Sequence, residues 1–401
     1  MAALSAAAAR LLGELERLAP GFAPHLERAD RQARLPEAIA APLLHAGFFR
    51  LWIPRAYAGL ELPLPEALRI YEATAAVDGS LGWAVMIGAG GGLFAAWLPE
   101  QGARELFTPP AALVAGSGSP AGSAERVPGG YRVRGRWRFA SLAHQASVFT
   151  AACIVTQGGR TVLDAAGEPL VRAMAIAPAD VCILDSWDPC GMRGTGSHDF
   201  EVHEAQVPEH HSFSVITDAP RERGALYRLP FGVLTELPVS AVGVGIARHA
   251  LALFAQALPA QKDAAGSALV QGRFAQAQAQ VELAAGAVCS LAEEAWHTVS
   301  AGRGLTAVQL ARITATCCVS QEQLRGAIGA LAAVAGMQAI DSRSVFARAW
   351  RDLQTLGAHG SLAPQRLGAS GAALLAQAGR NAVISAASDA SGAPHTLPSH
   401  T

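Results

Sequence analysis

The apolar residues of this chain repeat with a helical period, switch to an alternating one, and then return to the helical one. That order argues for a sheet domain inserted between two helical regions. Up to about Pro110, apolar residues recur at helical spacing through Leu11, Leu12, Leu15 and Leu18, then through Ile39, Leu43, Leu44 and Phe48. Prolines and a glycine mark Trp52 to Pro65 as a loop. A helix is predicted from Pro65 to about Val77, and a very apolar one from Leu81 to Leu98. Between Leu113 and about His211 the pattern alternates and turns often. In YRVRGRWRFA, Tyr131, Val133 and Gly135 alternate with Arg132, Arg134 and Arg136. Further strands are predicted in VFTAACIVT, RTVLD, VRAMAIAP and DFEVHEAQVP. Alanine-rich helical segments then cover roughly 231–258, 265–301, 305–337 and 340–378, enough for a four-helix bundle. The fold class expected is therefore α+β and multidomain. It divides into an N-terminal α-helical domain over 1–111, a middle β-barrel or sheet domain over 112–225, a four-helix bundle over 226–385 and a flexible tail over 386–401.

Composition narrows the function classes. A length of 401 residues exceeds what one core usually organises, and 16 % charged residues with about half apolar is a globular composition. The formal charge of −1 offers no field for nucleic acid or an anionic membrane. The six cysteines contain no CxxC pair, as expected of a reduced intracellular protein. The N-terminus carries Glu14 and Glu16 among its leucines and reads as an amphipathic helix, not a signal peptide. We find no run of about 18 uncharged apolar residues, so no membrane span is expected. A cytoplasmic chain without a nucleic-acid partner follows.

The glycine stretches lack the context of a dinucleotide fingerprint. Gly88 to Gly92 lies inside a helical run, and Gly116 and Gly118 are followed by Ser119 and Pro120 rather than by a helix. His198, His203, His210 and His211 suggest a metal at first sight. Residues five apart on a strand point to opposite faces, however, so a solvated strand with a polar loop is expected, and no metal. Two strand ends are more suggestive: Phe139 and Ser141 before a loop of small residues, and Trp187 to Asp199 with its glycines, Thr195 and Ser197. Such ends let backbone amides approach a planar polar ligand, although ordinary turns share the same composition.

Together with the architecture, these motifs resemble the acyl-CoA dehydrogenase superfamily over nearly the whole chain. The resemblance runs through LPEAIAAPLLHAGFFRLWIPRAYAGLEL, SLGWAV, GGYRVRGRWRFAS, GMRGTGSHDFEVHEAQVPE and RDLQTLGAHGSLAPQ. It is strongest to the flavin-dependent monooxygenase branch, the oxygenase components of two-component systems. The resemblance implies an N-terminal helical domain, a β domain and a C-terminal bundle, assembled as a homotetramer. It further implies a separate flavin reductase supplying reduced FMN, with FAD as the alternative. The reduced flavin and O2 would form a C4a-hydroperoxide that hydroxylates a small-molecule substrate. Relatives act on phenols, steroid phenols, dibenzothiophene and amino-sugars.

Residue by residue, Ser141 matches the serine that hydrogen-bonds the flavin N5 edge, with Phe139 beside it in the same motif. Trp187, Gly194, Thr195 and Ser197 match the segment along the isoalloxazine. His359, eight residues after Arg351, matches the histidine that faces the flavin and substrate, acting as base or positioning the peroxide. Trp83 follows Gly82 in the helix that walls the substrate side. Gly91 stands where many phenol hydroxylases have a second histidine, so the glycines are expected to open space for a bulkier or more apolar substrate. The segment around Lys262 lacks the arginines that often hold the flavin phosphate, leaving Lys262 as their replacement. The alternative activity is acyl-CoA dehydrogenation, with Glu236 on the first bundle helix as the base. A third reading keeps the fold as a non-catalytic binding module.

Overall fold

The computed structural model describes residues 4–257 and 267–391. Lys262, expected at the flavin phosphate, lies outside the described residues. The N-terminal helices are α1 (Ala6–Gln32), α2 (Glu37–Ala46), α3 (Leu64–Ala75), α4 (Gly79–Gly91) and α5 (Glu100–Phe107). Helix α1 runs through Pro20 and Pro24, each of which removes a backbone hydrogen bond, because Phe22, Leu26 and Ala29 continue its buried stripe across them. Eight strands follow: β1 (Val114–Val127), β2 (Gly130–Ala140), β3 (Val148–Gln157), β4 (Arg160–Thr161), β5 (Val171–Ile176), β6 (Cys182–Leu184), β7 (His198–Pro208) and β8 (Ser212–Phe213). They form one sheet in the order β6-β7-β2-β1-β3-β5-β8, with β4 paired to β3.

Among the described residues, the C-terminal helices are α6 (Val233–Ala257), α7 (Ala268–Ser300), α8 (Ala307–Ala332), α9 (Val345–Leu356) and α10 (Arg366–Ser391). The fourth bundle helix expected over 340–378 is thus two helices. Helix α9 stops before Gly357, a 3-10 turn spans Gly360–Leu362, and Pro364 separates that turn from α10. Helix α10 also continues past 385, into what was expected to be tail; residues 392–401 lie outside the described residues.

Two hydrophobic cores hold these parts. One runs from Ala8 to Leu362 and joins both helical regions, while the sheet keeps its own, built on Trp137, Phe149 and Phe200. The helical regions merge because α6 is buried on nearly every side, from Val233 to Phe254. Our expectation that no long uncharged apolar run exists requires correction. Gly79–Ala96 is uncharged, and it and Val233–Ala257, which carries Glu236 and Arg248, are both long and apolar enough to cross a bilayer; 83 % and 78 % of these windows are buried inside the fold. The glycines of the first hide its length, and its place is the core.

Candidate active site

The end of β2 builds the first half of the site. Trp137 pairs with Phe200, but Ala140 pairs with His198, so one extra residue enters β2 between them. This bulge takes Phe139 into the left-handed region at φ 68° and reverses the inward–outward alternation. Phe139 is consequently 53 % exposed, its ring edge-on to Trp187 at 5.9 Å and beneath the Arg138 guanidinium at 4.4 Å. Ser141 turns inward and is buried. Its Oγ accepts the Trp83 indole N–H at 2.9 Å and lies 2.7 Å from Ser197 Oγ. Ser197 Oγ is in turn 2.7 Å from Thr195 Oγ1, which donates to the Met192 carbonyl at 2.8 Å. Leu142 and Met192 also take left-handed backbone, at φ 62° and 57°. Three such non-glycine residues around one hydroxyl cluster mark local strain, about 1–3 kcal/mol apiece, that the surrounding packing must hold.

The 187–197 loop is held from two sides. His198, expected on a solvated strand, is instead buried: its Nδ1 accepts the backbone N–H groups of Ser186 and Trp187, so Nε2 carries the hydrogen and donates to the Ala33 carbonyl at 3.2 Å. From the other side, Asp352 Oδ1 accepts the Met192 N–H at 2.5 Å, and Arg351 Nε donates to the Cys190 carbonyl at 2.9 Å. Gly191 lies so close that a Cβ there would sit 2.3 Å from the Arg351 backbone. Burial, with Asp78 nearby, pushes the Asp352 carboxyl up to about 8. Gly194 does not open toward a ligand; its missing Cβ is replaced by Ala29 and Ser80, each 3.0 Å from where it would be.

His359 lies in the break between α9 and α10, at the N-cap of the 3-10 turn, and not within a last helix. Its ring stands 5.2 Å from that of Trp83, so one tryptophan touches both Ser141 and His359. Burial pushes the imidazole below its usual value. Nδ1 accepts the Ser361 N–H at 3.3 Å, which leaves Nε2–H as its free donor. Glu236, the alternative base, is fully engaged: Arg366 ion-pairs with it and Thr314 donates to it at 2.8 Å. Burial raises this carboxyl while both partners lower it. An acid so occupied is a structural group in the bundle.

Helix α4 is buried except along one stripe, where Trp83, Ile87 and Gly90 are half-exposed and Phe94 continues the line in the following 3-10 turn. The spacing of four, three and four residues places them on one face. Gly91, expected to open substrate space, is off this face; a Cβ there would come 2.5 Å from Val114. Gly90 has nothing within 4 Å and is the open glycine. Phe94 extends the stripe to Phe213 and Phe231 at 5.1 and 6.4 Å.

Elsewhere, His210 and His211 both reach the same Glu105 oxygen, at 3.2 and 2.8 Å. Their ligand-type atoms lie within 4.8 Å of one another, but both Nε2 atoms are already used on that carboxylate. His203 is exposed on β7, away from this group.

Known proteins share this fold. Residues 16–106 match the family described as acyl-CoA dehydrogenase, N-terminal domain, and residues 237–364 match acyl-CoA dehydrogenase, C-terminal domain. A pigment production hydroxylase of Rhodococcus sp. is 31 % identical over 293 residues, 68 % of this chain and 73 % of the relative. The FADH2-dependent resorcinol hydroxylase, oxygenase component, of Rhizobium sp. is 27 % identical over 379 residues, 88 % of this chain and 90 % of the relative. The structure of XiaF from Streptomyces sp. in complex with FADH2 and glycerol superposes with a TM-score of 0.83 over 98 % of both chains, at 22 % identity. The chain belongs to the acyl-CoA dehydrogenase superfamily and, within it, to the flavin-dependent monooxygenase oxygenase components.

Proposed function

We propose that this chain takes reduced flavin from a separate reductase and hydroxylates a small, largely apolar aromatic substrate with O2. The observation that carries the reading is the junction at Trp83, which joins the Ser141 hydroxyl to the His359 imidazole. The residues present fit a flavin. An aromatic pair, exposed Phe139 and half-buried Trp187, lies beside a buried line of hydroxyls, which suits a flat ring with one polar edge. Bound reduced flavin would supply the chemistry that activates O2 for transfer of one oxygen atom.

Ser141, fixed by Trp83, would offer an oxygen to the flavin N5 edge, with Ser197 and Thr195 behind it. His359 presents Nε2–H toward the substrate side, as a hydrogen-bond donor that orients a reacting oxygen. Acting as a base would require it to give up the Ser361 N–H, so donation is the role we assign. The stripe of Trp83, Ile87, Gly90 and Phe94 excludes water and receives the apolar part of the substrate. FADH2 is the first flavin to test, since it appears with both the resorcinol hydroxylase and XiaF; FMNH2 is the second. The reading extends to a cytoplasmic homotetramer with no membrane or nucleic-acid partner. Exposed Leu269 and Leu283 on α7 and Val319 on α8 give such an assembly apolar surface to cover.

The test is rapid mixing of anaerobic protein and FADH2 with oxygenated buffer, repeated with FMNH2. A protein-dependent delay before oxidised flavin appears, and ¹⁸O from ¹⁸O2 in the product of a phenol or indole, are expected. Oxidation at the rate of free flavin, with bleaching of oxidised FAD by an acyl-CoA, overturns the reading in favour of dehydrogenation.

A further inference from the structure

Five groups stand in line from helix α4 into the sheet: the Trp83 indole, the hydroxyls of Ser141, Ser197 and Thr195, and the Met192 carbonyl. The three hydroxyls are 5 %, 4 % and 1 % exposed, so solvent does not reorient them. Counting hydrogens fixes the direction of every bond. A carbonyl only accepts, so the single hydrogen of Thr195 goes to Met192. Thr195 must then accept from Ser197, which spends the Ser197 hydrogen. Ser141 therefore donates to Ser197, and its oxygen accepts from Trp83, which can only donate. What remains on Ser141 is one lone pair. Toward any further partner it is an acceptor and nothing else.

We propose that Thr195 and Ser197, through the direction they impose on Ser141, make the site select reduced over oxidised flavin. Reduced flavin carries a hydrogen on N5 and meets the free lone pair of Ser141. Oxidised flavin has a lone pair there, and two acceptors face each other unless Ser141 withdraws its hydrogen from Ser197. The inference rests on the assignment of Ser141 to the N5 edge. Thr195 and Ser197 are positioning residues, because they act through Ser141. The far end of the line is anchored by the Met192 carbonyl, which also accepts the Trp187 indole N–H at 3.1 Å. Met192 is itself held through its N–H by Asp352.

Equilibrium binding of oxidised and anaerobically reduced FAD, and then of the two forms of FMN, tests this without turnover. The measured quantity is the ratio of the two dissociation constants for each protein. The parent favours the reduced form. Thr195→Val keeps the shape but ends the line at Ser197, which is then free to donate back to Ser141. Ser141 can turn its hydrogen toward N5, and the ratio falls about tenfold, the worth of one buried hydrogen bond that changes sign. Thr195→Ser preserves the hydroxyl and the parental ratio. Ser197→Ala removes the acceptor of the Ser141 hydrogen and shifts the ratio in the same direction, which covers the case of a poorly folded valine variant. A ratio unchanged in both the valine and alanine variants, with both flavins still bound, overturns the inference alone. Failure of the parent to bind any reduced flavin overturns the flavin reading and this inference with it.

Discussion

The two sides of the site are built to different standards. On the sheet side, a bulge, three left-handed residues and a line of buried hydroxyls leave Ser141 one orientation. On the helix side, His359 sits in a break between two helices, held by one backbone N–H and the edge of Trp83, and faces a half-buried apolar stripe. The difference suggests a division of labour. The cofactor's reactive edge is constant and is met by a fixed surface, while the substrate side tolerates the looser geometry that a change of substrate requires.

Removing His359 should give the largest effect. His359→Ala is expected to lower product formation about 100-fold, the usual worth of a positioned proton donor, while the dissociation constant for reduced flavin stays within about twofold. Product measured at saturating reduced flavin decides the matter. An unchanged yield takes the histidine out of the mechanism, and a parallel loss of flavin binding erases the division between the two sides.

Ser141→Ala should break the other side in a different way. Flavin still binds, but the fraction of O2 released as H2O2 rises about tenfold relative to product, since one hydrogen bond at the N5 edge is lost. Trapping H2O2 with catalase during turnover measures it. Coupling equal to that of the parent shows that Ser141 is structural only.

Besides Trp83, Asp352 on α9 ties the Met192 loop of the sheet side to the helix side, and pH probes it. Its carboxyl is raised from 3.8 to about 8 in the folded protein, by burial first and then by Asp78. Between those values the folded chain holds a proton that the unfolded chain has lost, so this group makes stability fall as pH rises from about 4 to about 8. Asp352→Asn keeps an acceptor for the Met192 N–H and cannot ionise. Its melting temperature should decline less over that interval than that of the parent, by a few degrees at pH 8. Parallel melting curves against pH would show that Asp352 is ionised in the folded protein.

Much of this fold and site is legible in the sequence. The change of hydrophobic period separates the sheet from the helices because one face of a strand and one stripe of a helix must each be buried. The motifs around Ser141 and His359 mark residues that the fold joins through Trp83, while Trp187 packs against Phe139 beside them. Other features were hidden for physical reasons. The bulge at Phe139 exists only relative to β7, so β2 alone reads as plain alternation. His198 is buried by Ala33 and by the backbone of the 186–187 segment, none of it predictable from neighbours on its own strand. Asp352 did carry a signal: it sits with Phe346, Ala349, Leu353 and Leu356 on the buried face of α9, where an acid is out of place. Glycine is the least informative residue, because the same symbol serves close packing and open space.

That ambiguity gives the smallest and most discriminating prediction. Gly91→Ala drives a methyl to 2.5 Å from Val114, where α4 meets β1, and should cost about 1–3 kcal/mol by overpacking. Gly90→Ala, one position earlier, meets nothing within 4 Å and should change stability by less than about 0.5 kcal/mol. Any effect it has should fall on KM, since its methyl projects into the lane that Trp83, Ile87 and Phe94 line. A substrate series of increasing width sharpens the test: the KM penalty of Gly90→Ala should grow with width while that of Gly91→Ala stays flat. The reverse pattern would place the substrate on the β1 face of α4, and the division between a fixed cofactor side and an adaptable helix side would have to be drawn elsewhere.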